Sequence, residues 1–401
     1  MEPSPNNDTE RRVQIPSAAF RFVLLLGGVS FFADFAYEGA RSIVGPYLAV
    51  LGASATAVGI VAGFGEFLGY ALRLLSGQIS DRTRWFWPIT LFGYGIAMAA
   101  VPLLALAGSW QVAAGLLILE RMGKAIRNPP RDVILADAAK EIGYGWGFGV
   151  HEALDQCGAL VGPLLVAVVL AVQGTYTTAF ALLLFPALLT LGLLYLARLL
   201  HPRPEASKKP LPDLRAKGLP RVFWIYLVGA ALVAAGFADW SLMAYHFAKT
   251  ETVSPSWIPI VYATAMGASG AASLLFGRLF DRMGLILLVP LTLVSSLFAP
   301  LVFLGPFAAV LAGSILWGMG MGVHESIMRA AVAQLAPLQR RASAYGTFTA
   351  SYGLSWFLGS ALMGFLYDVS LPALVIFSIV AELVAIPLFL VATRYSERSV
   401  P

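Results

Sequence analysis

Gly77-Gln78-Ile79-Ser80-Asp81-Arg82 and, 200 positions later, Gly277-Arg278-Leu279-Phe280-Asp281-Arg282 each close one long apolar stretch and precede another. Glycine, aspartate and arginine recur at the same spacing, and the similarity continues on both sides. Phe32-Ala33-Asp34 matches Phe237-Ala238-Asp239 at an offset of 205, and Phe148-Gly149 with Gly162 matches Tyr345-Gly346 with Gly359 at an offset of 197. Three matches in the same order are hard to obtain by chance, so the chain reads as two parallel copies of one unit.

Composition fixes the solvent of that unit. Of 401 residues 58% are hydrophobic and 12% charged, with a mean hydropathy of +0.77, whereas soluble domains are about 45–50% apolar and about 25% charged. A polar surface cannot be built from so few charges, which leaves the bilayer. At about 20 apolar residues per crossing, spans are expected near 20–50, 56–76, 86–106, 110–126, 147–171, 176–199, 222–248, 257–276, 285–304, 307–328, 344–366 and 372–394. Open strands cannot cross lipid with unpaired backbone groups, and no alternating ten-residue pattern suggests a barrel. The expected fold class is therefore an all-α membrane protein of two six-helix bundles. Its divisions are a tail at 1–19, bundles at 20–200 and 222–394, a proline-rich charged linker at 201–221 and a second tail at 395–401. The first apolar stretch is too long for a signal peptide and reads as a retained helix. The lone cysteine, Cys157, gives no internal disulfide.

A pI near 9.3 would suggest nucleic acid in a soluble protein, but here the bases follow topology. With the N-terminus inside, one set of loops carries Arg82, Arg84, Arg127, Arg131, Lys140, Arg282, Arg340 and Arg341, together with the basic tail and linker, while the opposite set holds only Lys249. The positive-inside rule then puts both termini in the cytoplasm and accounts for the bases without a nucleic-acid partner; the expected location is a bacterial inner membrane.

Twelve spans, a central linker and the Gly-x-x-x-Asp-Arg segment after spans two and eight resemble the major facilitator superfamily over nearly the whole chain. The second copy is the better match, because the first has Thr83-Arg84 where the family usually has a residue and then glycine. The resemblance implies secondary transport between two rocking halves. It also assigns a cytosolic latch to Gly77, Asp81, Arg82, Gly277, Asp281 and Arg282, and an aspartate at a helix start would further accept backbone N–H groups there. Solvated turns are the plain alternative. Gly158-Ala-Leu-Val-Gly162-Pro163 in span five resembles in part the motif of the family's exporters, with Val166-Ala167 where a glycine pair is expected; close helix packing explains the same residues. Arg121 in span four lies near the place of a functional arginine of the family, although the glycine expected four residues later is Ala125.

Ionisable side chains inside a span are expensive and mark cavities. Asp34, Glu38 and Arg41 fall on one face of span one, either as a cavity lining or, for Glu38 and Arg41, as a self-neutralising pair. Asp34 has a counterpart in Asp239 of span seven, and both are candidates for carrying a proton. Glu66 with Arg73, and Glu120 with Arg121, are structural pairs or cavity lining. His246, Trp240, Tyr37, Phe35 and Tyr245 complete the candidate cavity, in which acids outnumber fixed cations and so favour a cationic or zwitterionic solute.

Gly149-Val-His151-Glu152 in span five echoes Gly322-Val-His324-Glu325 in span ten, with Asp155 and Arg329 one turn on. Three readings stand: a pH-sensitive gate built on imidazoles, which titrate near about pH 6.5; a passage for divalent metal; and ordinary polar helix ends. No resident metal is expected, since position 155 is not a second histidine. Gly318-Met-Gly320-Met-Gly322 has no strand before it and lies within a span, so it reads as glycines that soften the helix for rocking or allow close approach rather than as a nucleotide loop. No P-loop and no nucleophile–base pair is legible, so neither ATP drive nor an enzyme is expected, and no cofactor. The expected function is secondary transport of a small solute by a monomer, coupled to protons and directed to export of a drug-like or metabolite amphiphile. Nutrient uptake and divalent-metal efflux are the alternatives.

Overall fold

The computed structural model describes residues 18–201, 218–337 and 340–398; the N-terminal basic tail and most of the linker lie outside them. Among the described residues nine helical stretches are long and apolar enough to cross a membrane. One of these, Ile258–Leu304, has 47 residues, about 70 Å if straight. It is two crossings, because Gly284 takes φ +65° and turns the chain. Two further helices, Trp110–Ala139 and Arg341–Val369, match the spanning length with more polar faces.

The elements in order are α1 (Ala18–Val50), α2 (Ala55–Thr83), α3 (Phe86–Leu103), α4 (Trp110–Ala139), α5 (Tyr144–Gln173) and α6 (Tyr176–Leu182 and Leu184–Leu200). The second bundle has α7 (Arg221–Gly236 and Trp240–Thr250), α8 (Ile258–Met283), α9 (Leu288–Ser295 and Phe298–Leu304), α10 (Phe307–Gly322, then Met328–Leu335), α11 (Arg341–Val369) and α12 (Leu371–Arg398). A single wide turn, Val323–Ile327, joins the two parts of α10.

Helix ends correct the sequence reading in two places. α2 and α8 run on to Thr83 and Met283, so both Gly-x-x-x-Asp-Arg segments lie in last turns rather than in loops. Asp81 and Asp281 are therefore not at helix starts. Arg84 takes φ 60° and ψ 19° where its repeat partner Gly284 takes φ 65° and ψ −149°, so both copies leave the helix at positive φ but only the second uses a conformation that needs glycine. Helix α4, expected to stop near 126, continues through Pro129 and Pro130 to Ala139. A proline at 129 has no N–H for the Ala125 carbonyl, and Ser76 Oγ of α2 donates to that carbonyl instead, at 3.3 Å. Arg127 and Arg131 are thus helix residues, not loop bases.

The repeat is visible in packing. α1 lies on α5 as α7 lies on α11, and α2 on α4 as α8 on α10. Gly158 and Gly162 of α5 press on the Phe31 and Phe35 carbonyls of α1, where a Cβ would collide with backbone; Gly359 of α11 does the same to Ala235 of α7. Gly318 and Gly322 bring α10 onto Ala265 and Ser269 of α8. Small residues allow such approaches where lipid gives helices no hydrophobic reason to associate.

Between the bundles, contact is concentrated at the end away from the Gly-x-x-x-Asp-Arg segments. Gly45 of α1 meets the Ser241 carbonyl of α7, and Gly59 of α2 meets the Ser360 carbonyl of α11. Asp368 of α11 accepts the Thr56 N–H at 2.8 Å and its hydroxyl at 2.6 Å, capping α2 from the other bundle. Trp240 Nε1 donates to the Ser42 carbonyl and Tyr245 OH to the Ala53 carbonyl, both at 3.2 Å.

Candidate substrate cavity and charge network

A cavity of about 370 Å³ separates α1, α2 and α4 from α10 and α11 and extends to Tyr345, one turn from the start of α11. Its floor is a chain of charges. Arg121 Nη1 of α4 lies 2.8 Å from Glu66 Oε1 of α2. Arg41 Nη2 of α1 lies 3.8 Å from that same oxygen and 3.7 Å from Asp239 Oδ2 of α7. Glu38 is 4.0 Å from Arg41 Nη1 and accepts a short hydrogen bond from Tyr262 OH of α8. The expected one-face cluster on α1 therefore exists, but its partners come from α2, α7 and α8 more closely than from within the helix.

Asp34, one turn earlier in α1, lies 3.7 Å from Lys124 Nζ and 3.6 Å from Arg127 Nη2 of α4. Arg127 is 1% exposed and its guanidinium stands 3.9 Å over the Tyr94 ring. Lys124 Nζ stands 3.5 Å over Tyr37. Glu120, buried beside Arg121 at 3.7 Å, completes the group.

The Asp34–Asp239 match in sequence is not a match in local structure. Asp34 is mid-helix, whereas Asp239 Oδ1 accepts the Ser241 N–H at 2.8 Å and caps the second segment of α7. The break before it leaves carbonyls to satisfy, and Ser378 Oγ takes that of Gly236 at 2.6 Å while Trp317 Nε1 takes that of Ala238 at 2.8 Å.

Several expectations are overturned. On the cavity wall five bases (Arg41, Arg73, Arg121, Lys124, Arg329) face three acids (Glu38, Glu66, Glu325), so the expected acid excess is reversed. Trp240 and Tyr245 are buried in the closed end rather than in the cavity. His246 is off the wall too, with Nδ1 2.9 Å from Tyr367 OH and its ring against Phe303. The aromatic wall is instead Tyr70, Tyr345, Phe348, Tyr352 and Trp356, with Tyr37 the one aromatic of the expected set that lines it.

The two His-Glu pairs do not form one cluster in this conformation. His151 is buried in the first bundle with Nε2 unpartnered, and Glu152 points outward to Gln156 at 3.0 Å. His324 sits 2.9 Å from Tyr352 OH and edge-on to Phe237, and it lines the cavity together with Glu325 and Arg329. Both histidines are buried, so neither is a polar helix end reaching for water. Asp155 is an electrostatic neighbour of Asp34. Among the described residues no three of His, Cys, Asp and Glu gather as a metal-binding group. The sequence reading also passed over Glu382, fully buried in α12 beside the α7 break, although a lone acid in an apolar span is itself the signal.

The family model of the Major Facilitator Superfamily matches residues 26–289 and 237–401. The chain belongs to the major facilitator superfamily. This superfamily member, a multi-pass membrane protein of a transporter family, is 42% identical over 377 residues to an uncharacterized protein of Mycobacterium tuberculosis, covering 92% of each chain. It is 28% identical over 379 residues to an uncharacterized MFS-type transporter of Methanocaldococcus jannaschii, covering 91% of this chain and 92% of that one. In fold it is similar to a mutant of the nucleoside transporter NupG (TM-score 0.76, 14% identity, 92% and 99% covered). A second fold likeness is to a POT family transporter in complex with 5-aminolevulinic acid (TM-score 0.76, 15% identity, 95% and 97% covered). A third is to a bacterial homolog of human lysosomal Spinster in an inward-facing, unoccupied conformation (TM-score 0.69, 13% identity, 95% and 97% covered).

Within the superfamily frame, Asp81, Arg82, Asp281 and Arg282 are all exposed at the end where the bundles part. Gly77 approaches the Pro129 ring of α4 at ordinary contact distance, and Gly277 has open space around it.

Proposed function

We propose that this protein is a proton-coupled secondary transporter that exports a small solute across a bacterial cytoplasmic membrane by alternating access, acting as a monomer. One observation carries the reading: Arg41 holds acids of both bundles, Glu66 on one side and Asp239 on the other. Opening the closed end must part Gly45 from Ser241 and pull Asp239 away from Arg41, so charge balance and conformation are tied. Protonating Glu66, Glu38 or Asp34 changes which carboxylates need a cation, and this offers the gradient a handle on the rocking.

The arginine and lysine distribution supports a cytosolic location for the open end and for both termini, and the fold likeness to an inward-facing homolog agrees with it. Asp81 and Asp281, exposed now, are then latch residues released. Export rests on the resemblance of the Gly158, Gly162 and Pro163 segment.

The test is a lock. Thr56→Cys and Asp368→Cys, in a Cys157→Ser background, are joined by a short reducible cross-linker, with the solute supplied by a thermal-shift screen. Transport in proteoliposomes should stop and return on reduction. Full-rate transport with this end locked would sink alternating access, and uphill accumulation indifferent to a protonophore would sink the coupling.

A further inference from the structure

We propose that the cavity binds an organic anion. Its carboxylate or phosphate is held by Arg73 and Lys124 of the first bundle and Arg329 of the second, and its apolar body lies against Phe348, Tyr352 and Trp356. This rests on the transporter reading and adds the substrate class to it.

The inference follows from which charges are already spent. Glu66 is taken by Arg121 at 2.8 Å, and Arg41 reaches it and Asp239 as well. Glu38 takes the Tyr262 hydroxyl and Arg41. Arg41 and Arg121 are therefore used by the floor. Asp34, a single carboxylate, is shared between Lys124 and Arg127. Arg329 has Glu325 as its electrostatic neighbour one turn away on α10. Arg73, half-buried on the cavity wall, has Glu66 as an electrostatic neighbour two turns away, but no ion pair within 4 Å among the described residues, and its Nε is buried without a hydrogen-bond partner. A half-buried guanidinium whose fork faces a cavity with no anion in contact with it is suited to a ligand that carries negative charge. Guanidinium forks suit carboxylate and phosphate by geometry.

The remainder of the site fits the rest of such a molecule. Tyr345, Phe348, Tyr352 and Trp356 recur at helical spacing on α11 and line the cavity, and Trp356 Nε1 is a buried donor with no acceptor. Arg73 and Arg329 belong to opposite bundles, so an anion between them draws α2 toward α10. Binding thereby favours closure of the open end, which is what a transported solute has to do.

The test uses the full-length protein in phosphatidylcholine nanodiscs, which present no net-anionic headgroup to compete. Naphthoate and phenyl phosphate should raise the melting temperature; naphthamide and naphthylmethylamine should not. Arg73→Gln and Arg329→Gln should each weaken anion binding by about tenfold or more, with Arg73→Lys keeping part of it and guarding against a folding defect. Binding of the amine in preference to the anions, no stabilisation by either anion, or unchanged anion binding in Arg73→Gln overturns the proposal. The cross-link between positions 56 and 368 separates the two readings: transport of an amine that the lock stops defeats the anion and keeps the transporter, whereas an anion that binds through Arg73 and never crosses does the reverse.

Discussion

Helices α1 and α7 hold equivalent places in the two bundles, yet α1 runs unbroken through Asp34, Glu38 and Arg41 while α7 stops at Gly236 and restarts at Trp240. Around α1 the interior is ionic, with Glu66, Arg121, Lys124 and Arg127 within reach of it. The interior around α7 is aromatic. The Phe237 ring lies 5.0 Å from Phe298, 5.8 Å from both Trp317 and Trp356, and 4.4 Å from the His324 ring. One bundle therefore holds charges whose balance changes with a proton or a ligand, and the other supplies a stiff body for it to move against. Among the described residues the one ion pair across is Arg41 to Asp239, at 3.7 Å, and Asp239 is also the cap that restarts α7.

The largest expected effect breaks that contrast directly. Arg41→Leu strands Glu38 and Asp239 without their cation, while Glu66 keeps Arg121, and should cost about 3–5 kcal/mol. Phe237→Ala should cost a similar amount, about 3–5 kcal/mol, by opening a cavity among rings. The two differ in pH response. Acidification neutralises the stranded carboxylates, so the Arg41→Leu deficit shrinks as pH falls, whereas the Phe237→Ala deficit has no such charge to relieve. Melting temperatures of both variants across a pH series check this, and parallel pH curves would erase the ionic–aromatic distinction.

Next in size is Asp34→Asn. The amide keeps the shape of the acid but carries no charge for Lys124 and Arg127, and no proton. Gradient-driven accumulation should fall by about tenfold or more while downhill exchange persists. Full accumulation by this variant would remove Asp34 from coupling and leave Glu38 and Glu66 as the candidates.

How much of this was legible in the sequence depends on what kind of signal each residue gives. Spans, repeat and family follow from apolar length and from Gly-x-x-x-Asp-Arg recurring after 200 positions, because lipid enforces those features strongly. The face of α1 was legible for the same reason. The sign of the cavity was not. Apolar length ends span four near 126, which puts Arg127 and Arg131 in a loop, and Lys124, inside that span, gives no sign of which face it takes beside Arg121. Only the Ser76 bond to the freed Ala125 carbonyl, a contact from another helix, shows how α4 continues. The aromatic wall was hidden differently, since rings at helical spacing in an apolar span look the same whether they face lipid, a neighbour or a cavity. His246 was misplaced because nothing local says that the second segment of α7 belongs to the closed end.

A smaller effect is expected at the open end. Asp281 is exposed on α8 here and, as a latch, acts only when that end closes. Asp281→Asn should leave the melting temperature of the present conformation unchanged and shift the balance toward it by several-fold, about 1 kcal/mol. Reactivity of a cysteine placed at Thr349 on the cavity wall measures that balance. Unchanged reactivity would make both Gly-x-x-x-Asp-Arg segments plain helix ends.

The smallest effect is expected at an acid in the aromatic bundle. Glu382 of α12 is fully buried, Gly236 presses toward it from α7, and the Ser295 hydroxyl of α9 is its polar neighbour without well-formed hydrogen-bond geometry to either carboxyl oxygen. Glu38 is buried as well, but it accepts the Tyr262 hydroxyl and faces Arg41. Glu38→Met should therefore destabilise, since it leaves a hydroxyl and a guanidinium without their acceptor. Glu382→Met removes a buried acid whose polar neighbour, Ser295, makes no well-formed hydrogen bond to it, and keeps most of the volume, so stability should hold or rise by about 1 kcal/mol. Paired melting curves of the two variants in one detergent check the sign. A loss of more than about 1 kcal/mol in Glu382→Met would mean that this acid is held by a partner, and the second bundle would then share the ionic character that sets the first apart.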